Sequence, residues 1–380
     1  MGISWILIIA AVLYVLQHQV FTRLGFRGLR MERTFNKTHC HAGENIEMIE
    51  TIVNNKLLPI PWLRLESTFH AGLHFAKQTN LEVSSGAISQ NHRSLFSLMP
   101  YTRIVRRHHI QCAKRGWYKL ETAAAAIGDI VGIPAVSATH RFQSELLVYP
   151  PLVNYEDIPL PSSRWQGDIV VKRWIMPDPF MTSGVREYRY GDTMSSIHWK
   201  ATARSQRLQV FSREFTADPR LLIVVNTQIT ETMWDAVSDP ELVEKGLSYA
   251  ATLADYAISQ GVPVGFGFNG WRQDQPGIPV YLAPEGGWPH LDRLFETMAK
   301  LAVSCCRSCN DFLANWEEQD GSAVDIVLLT AFVSSALQSR ISQLEAMGHS
   351  VYIVPLDHHL LTFNTEEVGT SHVRTHDTTT

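Results

Sequence analysis

The side chains best suited to chemistry crowd into one stretch, Gly184 to Phe215, which reads GVREYRYGDTMSSIHWKATARSQRLQVFSREF. It holds Arg186, Arg189, Asp192, His198, Lys200 and Arg204, with Tyr188, Tyr190 and Trp199 among them. A histidine with a carboxylate in reach is the minimum for general acid–base catalysis, so a hydrolase using His198 with Asp192 is one reading. The spacing names no nucleophile to go with the pair. The competing reading is structural: arginines and acids pair across a junction and Trp199 fills a hole beneath them, because such pairs orient elements more often than they do chemistry.

Local pattern says how these residues are held. Tyr188 and Tyr190 alternate with Arg186–Glu187 and Arg189 at the two-residue period of a strand. Gly191-Asp192 supplies a turn. Residues 195–205 suit a short helix with a serine cap, and the sequence from Leu208 returns to an extended pattern.

The spacing R-E-Y-x-x-G-D-x-x-x-x-I-H-W-K-A-T-A-R, here Arg186 through Arg204, resembles the signature of the bacterial domain-of-unknown-function-58 family. Two more segments are similar to that family's sandwich domain: Asn54 to Leu65, and Lys114-Arg-Gly-Trp-Tyr118 followed by Gly128-Asp129-Ile-Val-Gly132. The resemblance implies a membrane-attached protein with an Ig-like β-sandwich and a von Willebrand factor A-like domain, partnered by a MoxR-type AAA ATPase and by other membrane or envelope proteins in protein assembly or maturation. That family carries a pair of spanning helices, whereas this chain shows one apolar segment.

The elements around the signature follow from patterning. At 380 residues the chain exceeds one hydrophobic core, and 45% apolar with 18% charged residues suits ordered globular protein. A net charge of −4 without a basic stripe gives no case for nucleic acid. Five cysteines, an odd number, argue against a disulfide framework and for a reducing compartment. Cys306-Arg-Ser-Cys309 beside Cys305 lacks a second half-site and reads as helix-packing thiols. His39 and His41 share a strand face, but no third metal ligand is indicated.

Residues 1–22 carry no Lys, Arg, Asp or Glu, and Arg23, Arg27, Arg30, Arg33 and Lys37 follow. This predicts a single membrane span with the N-terminus outside and the bulk of the chain cytoplasmic. Residues 32–150 alternate apolar and polar side chains in short runs between turn signals, as an all-β sandwich requires. Residues 151–220 form a proline-rich connector ending in the signature.

From Leu221 to about residue 360 strands and helices alternate, which predicts an α/β domain with a mainly parallel sheet. The tail, 361–380, is rich in Thr and reads as disordered. Gly265-Phe-Gly-Phe-Asn-Gly270 matches a dinucleotide fingerprint, but no helix start follows it, so a hairpin or strand end is expected.

The von Willebrand A resemblance implies a Mg²⁺ site with an aspartate-x-serine-x-serine loop after the first strand and a second aspartate after a later one. The matching positions are Asn226, Gln228 and Thr230, then Ala331. Hard divalent ions need oxygen ligands that usually include carboxylate, so this site is expected to be degenerate. The reading is a membrane-anchored adaptor without catalysis, metal or other cofactor, in which Arg186, Arg189, Asp192, His198, Lys200 and Arg204 form the interaction surface and Trp199 is the packing anchor. The alternatives are the hydrolase and a metal-dependent adhesion domain.

Overall fold

The computed structural model describes residues 2–75, 81–86, 89–130, 132–160, 184–188, 197–212, 220–230, 235–317 and 324–357. The expected disordered tail and, within the connector, residues 161–183, 189–196 and 213–219 lie outside the described residues.

Helix α1 (Gly2–Leu24) is apolar and long enough to cross a membrane over Trp5–Leu24. Then come β1 (Leu29–Phe35), β2 (His39–His41), β3 (Asn45–Asn54), β4 (Ile60–His70), β5 (Leu73–Phe75), β6 (Leu81–Ser85), β7 (Ser89–Leu98), β8 (Arg103–Cys112), β9 (Gly116–Gly128) and β10 (Pro134–Tyr149). Two sheets result, in the orders β1-β3-β8-β5 and β2-β10-β9-β4-β7-β6. Strict alternation drives their stacking: every second residue of β3 and of β7 is buried, and a period of two puts those side chains on one face. Met48, Ile52, Leu63, Leu65, Ile110 and Ile127 fill the space between the sheets. Phe21 of α1 joins this core, so the end of the apolar helix is part of the sandwich.

Residues 150–160 contain one short 3₁₀ turn, Tyr155–Asp157. They are docked rather than free. Val153 N donates to Thr252 Oγ1 at 3.0 Å, and Tyr155 stacks on Tyr256. Beyond the gap, β11 (Gly184–Glu187) pairs antiparallel with β12 (Gln209–Ser212), and α2 (Trp199–Ser205) lies between them in the chain.

The C-terminal part contains β13 (Leu221–Val225), β14 (Asp235–Ala236), α3 (Pro240–Ser259), β15 (Val264–Arg272), β16 (Gln275–Glu285) and α4 (Trp288–Ala299). It continues with β17 (Leu301–Ala302), β18 (Ser304–Cys305), α5 (Cys309–Glu317), β19 (Asp325–Thr330), α6 (Ser335–Ala346) and β20 (Ser350–Pro355). The main sheet has the order β16-β15-β13-β19-β20, with the short β17 also on β15, and is parallel except at β16 and β17.

The unbroken run LLIVV in β13 is explained by two cores. Leu221, Ile223 and Val225 face the layer containing α3 and α4, and Leu222 and Val224 face α5 and α6. A strand covered on both sides cannot alternate with polar residues. Each such side chain adds about 1.5–3 kcal/mol when fully buried.

The helix ends match their chemistry. Asp239 Oδ1 caps α3 by accepting from Glu241 N and Leu242 N, and Pro240 takes the first helical position. Gly261 follows the helix at φ +81°, a conformation that glycine adopts without strain. The Gly265–Gly270 stretch lies within the β15–β16 hairpin and opens no helix.

Candidate functional site

The loop edge at the C-terminal ends of β13, β15 and β19 is where an open parallel sheet places its binding groups. Three polar side chains meet there. Asn269 Nδ2 donates to Asn226 Oδ1 at 2.9 Å, and Asn226 Nδ2 donates to Thr330 Oγ1 at 3.0 Å. The Thr330 hydroxyl donates to Phe332 O at 2.7 Å. Asn226 Oδ1 also accepts from Gln228 N, and Asn269 Oδ1 accepts from Thr227 N and from the Thr227 hydroxyl. Gln228 Oε1 accepts from Cys309 N at 2.8 Å, which caps the start of α5.

The structure brings Asn226 and Gln228 into this network, and leaves Thr230 and Ala331 exposed. Thr330, one residue before Ala331, occupies the inner position, and sequence reading missed Asn269 and Thr227 as well. The signal for Asn269 was its place in the β15 strand, parallel to and level with the end of β13. Every side chain in the cluster is neutral, and its partners are other members of it or nearby backbone such as Phe332 O and Arg307 O. Such a set has no carboxylate to offer a hard cation, and the described residues contain no group of three His, Cys, Asp or Glu that could hold a metal.

Cys309, beside the network, is quiet. Burial pushes the Cys309 thiol up to about 12, so the nucleophilic thiolate is scarce there at neutral pH. His39 and His41 both pack on the Tyr149 ring, and His41 Nδ1 lies 2.7 Å from Pro150 O.

The signature is only partly described. Arg186 sits in β11, opposite Val210 of β12, while Arg189 and Asp192 lie outside the described residues. His198 is the N-cap of α2, replacing the expected serine: its Nδ1 accepts from Ala201 N at 3.1 Å. Trp199 is not a packing anchor. It is 66% exposed, and Lys200 and Arg204 on the same helix are exposed with it. Ile197, at 3% exposure, fills the buried position instead. The shift has a simple cause. With His198 as cap, the helix starts at Trp199, which is exposed with Lys200, while Ala201 and Thr202 turn inward.

A cavity of about 950 Å³ opens in the sandwich, where the pairing of β4 with β9 stops at Glu66 and Ala124. Its floor includes Arg33, Ser67, Phe69, His92 and Phe142. Arg33 is buried and satisfied: Nε donates to Glu50 Oε1 at 2.7 Å, Nη1 donates to Ser67 Oγ at 2.5 Å, and the guanidinium lies over the Phe69 and Phe142 rings. Burial holds His92 down at about 4, with the charge on nearby His108 and Arg33 adding to the effect. Burial also opposes ionisation of Glu50, yet the His108 contact and the Arg33 charge outweigh it and keep that carboxyl below its usual range.

No protein-family model matches the chain. A relative from Bacillus subtilis (strain 168), the uncharacterized protein YeaD, is 20% identical over 240 residues, 62% of this chain and 57% of the relative. The match thus spans little more than half of that protein's length. Among solved structures, a non-cellulosomal cohesin from Archaeoglobus fulgidus is 10% identical, with 30% of this chain and 91% of the cohesin covered and a TM-score of 0.20. A human PapD-like domain is 15% identical, with 32% and 84% covered and a TM-score of 0.21.

Proposed function

We propose that this protein is a membrane-anchored adaptor that makes and breaks no bonds and holds protein partners through the exposed face of α2. The observation that carries the reading is the outward Trp199 with Lys200 and Arg204 beside it. Tryptophan and arginine are the side chains that most often anchor protein interfaces, because they bury a large area and lose little rotamer freedom for each contact. Arg186, Arg189 and Asp192 belong to the same proposed surface, on the strength of the signature.

The α/β part is proposed as a von Willebrand factor A-like domain whose ion site has been replaced by the Asn226–Asn269–Thr330 cluster. The resemblance to the domain-of-unknown-function-58 family suggests the partner class, a MoxR-type AAA ATPase, and the arginines that follow α1 favour a cytoplasmic body with α1 as anchor. The cap role of His198 Nδ1 counts against the hydrolase, since a neutral ring that accepts from Ala201 N there carries its proton on Nε2 and offers no second acceptor as a general base.

Affinity capture of the full chain from solubilised membranes is expected to recover a MoxR-type ATPase. Trp199→Ala with Arg204→Ala is expected to cut recovery at least about tenfold, the loss of one interface anchor's energy. Equal recovery by the double variant contradicts the proposed surface.

A further inference from the structure

The end of the sandwich nearest α1 exposes apolar side chains that the core has no use for. Leu57 lies in the β3–β4 loop, Met99 and Tyr101 in the β7–β8 loop, and Ile130 and Ile133 in the β9–β10 loop, each between 45% and 75% exposed. Tyr101 holds φ at +53°, a conformation rare for a side chain of its size, with the ring in solvent.

These loops and the helix are tied together. Lys56 Nζ donates to Leu24 O at 2.7 Å and also to Gly25 O, and Asn55 N donates to Gly28 O at 2.9 Å. Asn54 Nδ2 donates to Met99 O at 3.0 Å, and Tyr101 N donates to Lys56 O at 3.3 Å, which joins the second loop to the first. On the third side Thr22 Oγ1 donates to Ala135 O at 3.4 Å, and His18 Nδ1 lies 3.6 Å from Asp129 Oδ2. Helix α1 therefore passes the β9–β10 loop at the level of His18.

Length then sets the depth. The apolar stretch Trp5–Leu24 has 20 residues, about 30 Å of helix at 1.5 Å per residue, the thickness of a bilayer's hydrocarbon core. The last seven residues of that stretch, His18 to Leu24, account for roughly 10 Å. They run beside the loops. If the stretch spans, the loops at the level of His18 cannot remain in bulk water. Their side chains suit the place: aliphatic groups and a tyrosine at the acyl boundary, with exposed Arg23, Arg27 and Arg103 behind them to meet lipid phosphates.

We infer that this end of the sandwich is seated in the membrane interface, so that α1 and the three loops form one lipid-facing surface. The seat fixes the height and tilt of the sandwich over the bilayer, which a bare helical tether does not. It rests on the reading of α1 as the anchor, and the test separates the two.

Nitroxide labels are placed one at a time at Leu13, Leu57, Ile130 and Gln111 of the full chain carrying Cys306→Ser, the other cysteines being buried. The chain is reconstituted in phosphatidylcholine vesicles with about a third phosphatidylglycerol, an anionic surface for the arginines. Depth is read from the ratio of oxygen to nickel-chelate relaxation. Leu13 is expected deep, Leu57 and Ile130 at the headgroup–acyl boundary, and Gln111, at the far end of β8, in water. A deep Leu13 with Leu57 and Ile130 fully aqueous overturns the seat and leaves the anchor standing. An aqueous Leu13 overturns the anchor and the seat with it.

Discussion

Arg115 and Glu244 meet in a two-pronged ion pair, Nε to Oε2 at 2.7 Å and Nη2 to Oε1 at 2.9 Å, that joins the sandwich to helix α3. The remaining nitrogen, Nη1, donates to Met298 O and Leu301 O at 2.7 and 3.0 Å at the end of α4. The Arg115 side chain is 3% exposed. Tyr149 of β10 and Ile158 extend the α/β core toward the sandwich on the same side. The two halves are thus held by one satisfied guanidinium and a shared apolar seam.

Arg115→Ala is therefore expected to destabilise the chain by about 2–3 kcal/mol, mostly from carbonyls left unpaired, because Glu244 is partly exposed and its share is screened. Differential scanning calorimetry checks this. A single transition is expected to split into two, and an unchanged trace contradicts the clamp. Arg115→Lys is expected to recover only part of the loss, since an ammonium cannot serve Glu244 and both carbonyls as the planar fork does.

The sandwich carries its own pH dependence. His92 is held down at about 4 by burial, so between about pH 6.5 and pH 4 the unfolded chain takes up a proton that the folded chain does not. Stability is full above that window and falls as the pH drops through it, by up to ~3 kcal/mol. Glu50, held below the usual carboxylate range despite its burial, extends the loss to still lower pH. Urea titrations from pH 7 to pH 4 check the slope. His92→Phe, which keeps a ring between Phe69 and Phe75, is expected to flatten it by about one proton. An unchanged slope in that variant places the titration elsewhere.

The neutral cluster at the sheet edge makes a separate prediction. A ligand that binds only the folded state raises Tm in proportion to its occupancy. With Asn226, Asn269 and Thr330 bonded to one another, millimolar Mg²⁺ is expected to move Tm by less than about 1 °C. A rise of several degrees, reversed by a chelator, contradicts the assignment. Asn226→Asp is expected to cost roughly 1–3 kcal/mol, because it turns the donor facing the Thr330 oxygen into an acceptor.

Much of this was legible in the sequence, for physical reasons. The alternation in Asn45–Asn54, the apolar run Leu221–Val225 and the Asp239-Pro240 helix start each express one local rule, and each lies where that rule puts it. Other features depend on tertiary context. Ala123–Ala126 is a strong helix former by propensity, yet it lies inside β9 because strands on both sides complete its hydrogen bonds. The run Gln275–Glu285 has little alternation to mark it and becomes an edge strand by pairing with β15. Trp199 was misplaced because an aromatic beside a histidine reads as core filling. Which residue caps the helix decides where the ring points, and the choice between a serine and His198 is invisible to composition. The Asn226–Asn269 contact spans 43 positions and no local pattern announces it.

The central claim is that the protein acts by holding a partner through α2. Purified full chain in detergent and a purified MoxR-type ATPase, titrated against each other by calorimetry, test it most directly. Saturable binding is expected, weakened at least about tenfold by Trp199→Ala with no change in Tm, as an exposed interface anchor requires. Undiminished binding by a folded Trp199→Ala variant, or turnover of a small substrate lost on His198→Ala, contradicts the account.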